Sequence, residues 1–243
     1  MSTLPAATSI RYAVSPPRVG WELTEETMPE SVLHDEAVAF LKALLTAWAS
    51  RSGGMQVARN LAVRWSEVNP RIGVDPDVCV LSPPPPEGNG LRSLRTWEVG
   101  HAAPLLAVEV VSETNPRKDY VVAPDKYAAS GTRELWIFDP LLAGPASHGG
   151  PFRLQVWVRT EEGTFTRVYA GEGPVRSETV RGYLVVVDEG RKLRITEDAS
   201  ATAFWLTAEE AERAAKEEER AAKEAALARI AALEAELANR TGR

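Results

Sequence analysis

Between Leu105 and Asp139 the apolar positions fall into two short runs separated by a helical interval. Leu105-Leu106-Ala107-Val108-Glu109-Val110-Val111-Ser112 is apolar apart from one carboxylate at its centre. Leu135-Trp136-Ile137-Phe138-Asp139 is apolar up to a terminal acid. Runs of this length, rich in β-branched and aromatic residues, predict strands buried on both faces, and Asp119 to Ser130 between them predicts a short helix. The pattern is a β-α-β unit, and the remaining elements are arranged around it.

Upstream, Leu33, Ala37, Phe40, Leu41, Leu44, Leu45 and Trp48 recur at helical spacing and predict an amphipathic helix. Ser31 is its N-cap, and Ser52-Gly53-Gly54 ends it. Met55 to Trp65 alternates in part and predicts a half-buried strand. Val74 to Leu81 predicts another, interrupted by Asp75-Pro76-Asp77, because proline has no ladder donor and belongs at a strand start or edge. Pro83 to Pro86 begins a long loop that reaches His101. Beyond Asp139-Pro140, Phe152–Val158 and Thr164–Tyr169 flank Glu161-Glu162-Gly163 as a β-hairpin, and Tyr183–Val187 predicts a further strand. From Glu209 to Arg240, Ala, Glu, Lys, Arg and Leu dominate, and ERAAKEE is followed by ERAAKEA, so a long charged helix is expected. Ala226, Ile230, Leu233 and Leu237 form a thin seam on it. A solvated helix and a weak coiled-coil contact between two copies both fit that seam.

Three divisions follow: an N-terminal extension over 1–30, a domain over 31–205 that includes a C-terminal β extension, and a charged helix over 206–243. Composition narrows the classes. With 44% hydrophobic and 26% charged residues the chain can build a core. One cysteine, Cys79, rules out an intrachain disulfide and suits a cytoplasmic setting. Neither a signal peptide nor a membrane span is expected. The formal net charge of −6 argues against binding nucleic acid through the whole surface, though not through a local basic groove.

The chemistry begins at Glu109. An ionised carboxylate inside an apolar strand costs several kcal/mol unless it is paired or binds a metal. Asp77 lies at the start of the preceding strand, and if the two strands pair as a hairpin both carboxylates reach one point. Two such groups raise each other's pKa, which a divalent cation relieves. Mg²⁺ takes one or two carboxylates plus water and phosphate oxygens, and the Val110 carbonyl offers a further protein oxygen. Other readings stay open. Arg59 or Arg64 could pair with Glu109 as a structural ion pair. Asp77 could be a turn residue, Asp119 and Asp139 caps or turn formers, and His34 a satisfied buried histidine.

Helix, three strands, helix, strand is the order of the PD-(D/E)XK nuclease superfamily, and the chain resembles its Uma-type restriction endonuclease family more closely. The matching stretches are Pro76-Asp77-Val78, Glu109-Val110-Val111-Ser112, Asp119-Tyr120, Pro124, Tyr127-Ala128-Ala129, Gly131 and Glu134-Leu135-Trp136-Ile137-Phe138-Asp139-Pro140, with His34 and the charged C-terminal helix also in keeping. The resemblance implies a restriction-endonuclease-like α/β fold, a mixed central sheet with flanking helices. It implies a metal-dependent DNA endonuclease with Asp77 and Glu109 as ligands of Mg²⁺ or Mn²⁺, helped by the Val110 carbonyl. The superfamily's lysine, two residues after the glutamate, is Val111 here. The family's alternative, four residues after the aspartate matching Asp119, is Ala123. Lys126, three residues further along the helix, is the first candidate to replace it, and Lys118 the second. A nuclease-like protein that binds or assembles without cutting is the competing reading. DNA is the expected partner, with a homodimer contact through the C-terminal helix as the assembly to consider.

Overall fold

The structure, a computed structural model, describes residues 31–241; the expected N-terminal extension over 1–30 lies outside the described residues. The chain forms two units that divide between Trp205 and Leu206.

The first unit begins with α1, Val32–Ser52, where the Ser31 hydroxyl accepts the His34 N–H at 3.2 Å. Its buried stripe includes Val38, Leu41, Leu44, Leu45 and Trp48. The helix lies on a six-stranded mixed sheet with the order β1 (Gln56–Arg59), β4 (Val78–Leu81), β6 (Leu106–Val110), β7 (Glu134–Phe138), β8 (Leu154–Arg159), β9 (Phe165–Gly171). Within this sheet only β6 and β7 are parallel neighbours, and they flank the helical crossover that the sequence predicts. Each strand residue of that pair is buried, as two-faced apolar runs require.

Strand alternation sends Val78, Val80, Leu106, Val108, Val110, Trp136 and Phe138 toward α1. A small antiparallel sheet completes that layer: β10 (Val175–Arg176), β11 (Tyr183–Val187) and β12 (Lys192–Thr196), contributing Leu184, Leu193 and Ile195. Cys79, Leu81, Ala107, Val111, Leu135 and Ile137 point to the opposite side. There they meet a second small sheet, β2 (Ala62–Arg64), β3 (Gly73–Val74) and β5 (Ser93–Arg95), together with the crossover helix.

The expected strand over 55–65 is broken into β1 and β2, which belong to different sheets. Asn60 causes the break: its φ is 50°, a left-handed conformation that ends strand geometry. Its N–H donates to the Pro76 carbonyl at 3.1 Å. Pro76 lies between β3 and β4, as its missing donor dictates. β5 falls inside the expected long loop, and β10 and β12 are additions to the expected strands.

The crossover itself is not a plain α-helix. Lys118–Val122 forms a π turn that runs into α2, Ala123–Ser130. Gly131, at φ 84°, closes α2 with its N–H on the Ala128 carbonyl at 3.2 Å. A side chain there would meet Ala103, so glycine serves both the left-handed cap and the close approach.

The second unit is α3, Ala208–Thr241. Thr207 and Glu210 cap it reciprocally: the Glu210 N–H donates to Thr207 Oγ1 at 3.1 Å, and the Thr207 N–H donates to Glu210 Oε2 at 2.9 Å. Leu227, Ile230 and Leu233 are exposed along it. No helix among the described residues is long and apolar enough to cross a membrane.

Candidate metal centre

β4 and β6 run antiparallel with Val78 opposite Val108 and Cys79 opposite Ala107. Continued by one residue, the same register sets Asp77 opposite Glu109. Both side chains then belong to the face carrying Cys79 and Ala107, where cross-strand neighbours have Cβ atoms about 5 Å apart. Asp77 also takes over the end of the ladder: the Val110 N–H donates to its Oδ2 at 2.7 Å. The N–H and C=O of one strand residue face the same edge, so the Val110 carbonyl lies on the Asp77 side of β6. From α1, His34 brings Nε2 to 3.4 Å from Asp77 Oδ2.

Glu109 is 2% exposed. The Tyr127 hydroxyl of α2 donates to its Oε1 at 2.5 Å. On the other oxygen, Lys118 Nζ stands 3.6 Å from Oε2 and, at 3.8 Å, reaches toward Asp119 Oδ1 as well. Neither arginine considered from sequence takes this place. Arg59 pairs with Asp35, and Arg64 pairs with Asp75 at 2.9 Å. Of the two candidate lysines, Lys118 stands 3.6 Å from Glu109. Lys126 is half-buried on α2, beside Tyr127 in sequence.

The electrostatics follow from burial. Desolvation pushes the Glu109 carboxyl well above the usual carboxylate range, and the charges of Asp77 and Asp119 push it further in that direction; Lys118 and the Tyr127 hydrogen bond oppose them. Asp119 is driven up to about 7, again by burial first, with Lys118 opposing and Asp77 adding to the rise. Burial alone would lower the Lys118 ammonium, but Glu109, Asp119 and Asp77 outweigh it, and its pKa is raised. Lys118 therefore stays charged among three acids. Tyr127 is held neutral by burial and by the Glu109 charge, so its hydroxyl remains a donor.

The donor set suits a hard cation: carboxylate oxygens, a backbone carbonyl nearby, and more negative than positive charge in a buried place. Asp119 Oδ1 strengthens that fit, because it is buried with no hydrogen-bond partner among the described residues. The set is not a compact cage, however. Among the described residues, no three His, Cys, Asp or Glu side chains that include Asp77 or Glu109 have ligand atoms within 4.8 Å of one another. A cation here would take the two carboxylates and the Val110 carbonyl directly and fill its remaining positions with water or phosphate.

Glu87, Glu98 and His101 do meet that distance. Hydrogen bonding gives them another role. The Arg95 N–H donates to His101 Nδ1 at 3.1 Å, which puts the ring proton on Nε2, and Nε2 lies 3.0 Å from Glu87 Oε2. The ring has no lone pair left for a metal, and the trio pins the long loop to itself.

Asp139 is structural, as a strand-end turn former should be. It accepts from the Tyr120 hydroxyl at 2.8 Å and from the N–H groups of Ala143 and Gly144 at 2.9 Å each. Ser112 accepts the Thr114 N–H at 3.3 Å and forms the turn after β6. Cys79 is a core residue whose thiol burial pushes up to about 12. Sequence reasoning left Asp119 as a cap or turn residue; its burial beside Lys118 is the feature it missed. The signal available was its place in a helix facing an apolar strand.

The first unit is thus a mixed α/β architecture, a central sheet with helices on its flanks. The sequence model of the Uma2 family, described as "Putative restriction endonuclease", matches residues 22–189, and the chain belongs to that family. No curated protein matches the chain. A crystal structure described as "a putative nuclease belonging to DUF820", from Anabaena variabilis, is similar over 63% of this chain and 76% of that chain, with 13% identity and a TM-score of 0.44.

Proposed function

We propose that this chain is a divalent-metal-dependent DNA endonuclease that hydrolyses phosphodiester bonds at the Asp77–Glu109 pair. The observation that carries the reading is the Val110 N–H on Asp77 Oδ2 at 2.7 Å, beside Glu109 on the strand paired with β4, with a lysine ammonium 3.6 Å from Glu109. Asp77, Glu109 and the Val110 carbonyl would hold Mg²⁺ or Mn²⁺. When bound, such a cation polarises a phosphate ester and makes water a better nucleophile at neutral pH.

The chain's own groups do the rest. Tyr127 fixes the Glu109 carboxylate by donating to one oxygen, which leaves the other toward Lys118 and the pair. The Val110 N–H fixes Asp77 in the same way. Lys118, half exposed at the mouth of the cluster, presents a permanent positive charge where a phosphate would approach and balances charge that develops on it during attack. It supplies the ammonium for which the two family positions, Val111 and Ala123, have no group.

Those apolar substitutions also favour a second reading, a nuclease-like protein that binds DNA without cutting it. Plasmid nicking with Mg²⁺ and with Mn²⁺ separates the two. The endonuclease reading expects metal-dependent nicking by the wild type and none by Glu109→Ala. It expects Lys118→Ala to lower kcat about a hundredfold with metal affinity little changed, as for a group acting in the transition state. Lys126→Ala is the comparison. If it loses activity and Lys118→Ala does not, the assignment of the lysine is reversed. Equal inactivity of wild type and Glu109→Ala on supercoiled, linear and single-stranded DNA favours the binding protein.

A further inference from the structure

Asp119 has no part in that account, yet it is 3% exposed and its Oδ1 has no hydrogen-bond partner among the described residues. Lys118 Nζ, at 3.8 Å, is beyond hydrogen-bond length. A buried carboxylate oxygen left unsatisfied is costly. The same fold satisfies Asp139 with three donors, so the contrast is specific to this position.

The π turn explains how Asp119 comes to be there. A π turn takes about 4.4 residues and an α turn about 3.6, so one of each advances the chain by about eight. Asp119 and Tyr127 are eight apart and share one line of the helix. In an unbroken α-helix they would be about 80° apart. Tyr127 touches Glu109, so the π turn aims Asp119 at the same end of the cluster. There it feels the charges of Lys118, Asp77 and His34.

Resting on the cation reading above, we propose that Asp119 is a third carboxylate of the centre and holds the cation through its water shell. Direct ligation by a third side chain is disfavoured, because no three His, Cys, Asp or Glu side chains that include Asp77 or Glu109 have ligand atoms within 4.8 Å of one another among the described residues. Mg²⁺ dehydrates reluctantly and keeps several waters, which need acceptors. Asp119 Oδ1 is a buried acceptor with capacity to spare.

The test is titration of full-length protein with Mn²⁺ alone at pH 8, followed by the electron paramagnetic resonance signal of free Mn²⁺. Wild type, Asp119→Asn, Glu109→Gln and Asp125→Asn are compared; Asp125 is exposed on the same helical segment. Asp119→Asn is expected to weaken Mn²⁺ at least tenfold, as groups that orient a metal's immediate ligands do. Glu109→Gln should abolish binding, and Asp125→Asn should match wild type. Asp119→Ser is titrated under the same expectation in case the asparagine variant melts early. Wild-type affinity in both Asp119 variants, together with a higher melting temperature in the absence of metal, overturns the proposal and leaves the Asp77–Glu109 site intact. If wild type itself takes up no Mn²⁺, both this proposal and the cation reading fail.

Discussion

Glu134 and Asp139 bracket β7, while Glu109 sits on β6 beside it with Asp119 facing the cluster from the crossover helix. All four are buried, and the fold treats the two pairs differently. Glu134 accepts the Trp136 indole N–H at 2.6 Å and the Thr179 N–H at 2.9 Å, and Asp139 accepts from three donors. These are carboxylates solvated by protein, and they tie β7 to the 177–180 loop and to the turn after the strand. Glu109 and Asp119 share one lysine, one tyrosine hydroxyl serves Glu109, and an oxygen of Asp119 goes unsatisfied. Their pKa values are pushed up, with burial the largest cause. The difference teaches how buried acids can be told apart by their partners: one pair has its donors, and the other keeps capacity that the proposed centre would use.

The largest expected effect sharpens that comparison at Glu109. Glu109→Ala should remove Mn²⁺ binding and any metal-dependent nicking, a loss of more than about a hundredfold, because it deletes a ligand. Its counterpart, Glu134→Ala, should leave Mn²⁺ affinity within about twofold but cost roughly 3 kcal/mol in a urea melt, since the Trp136 indole and the Thr179 amide lose their shared acceptor. If Glu134→Ala impaired metal binding as much as Glu109→Ala, the division between the two pairs would be lost.

The next effect is one of pH. Asp119 has a folded pKa of about 7 against an ordinary 3.8, so the folded state holds its proton longer than the unfolded chain does. Its stabilising contribution is present below the ordinary value and is lost as pH rises through about 7. Glu109 is raised in the same direction. Metal-free protein should therefore lose stability between about pH 4 and 7, and Asp119→Asn should flatten part of that fall. Metal binding requires the ionised acids, so Mn²⁺ affinity should rise over the same interval. A metal-free stability that climbs with pH through this window, measured by calorimetry, would contradict the sign.

The smallest effect belongs to α3, which presents exposed apolar residues and contributes no buried acid among its described side chains. Removal of 206–243 should shift the melting temperature of the remaining protein by no more than about two degrees, the scale of a surface change. A drop of many degrees would show that the helix stabilises the first unit.

Much of this was legible in the sequence. Glu109 stands out as one charge in the apolar run from Leu105 to Val111, and Pro76 fixes where its partner strand begins. The β6–helix–β7 crossover follows from two apolar runs and a helical interval. Three features were hidden for physical reasons. Asn60 breaks an apparent strand by adopting a left-handed conformation that its sequence allows but does not require. β2, β3 and β5 are two or three residues each, too short for periodicity to register. The π turn matters most for the site. Lys126 is the first candidate from sequence because it lies three residues beyond Ala123, on the same face of a plain helix. The π turn sets Tyr127 on the line of Asp119, and it is Lys118 Nζ that stands 3.6 Å from Glu109.

The central claim is that Asp77 and Glu109 hold a divalent cation. An anomalous difference map from a crystal soaked in Mn²⁺ at pH 8 tests it most directly, before any substrate is known. The account predicts one strong peak between the two carboxylates, on the side of the Val110 carbonyl, with Lys118 still on Glu109 or Asp119. A map with no peak there at millimolar Mn²⁺, and both carboxylates engaged only by Lys118, Tyr127, His34 and the Val110 amide, would contradict it.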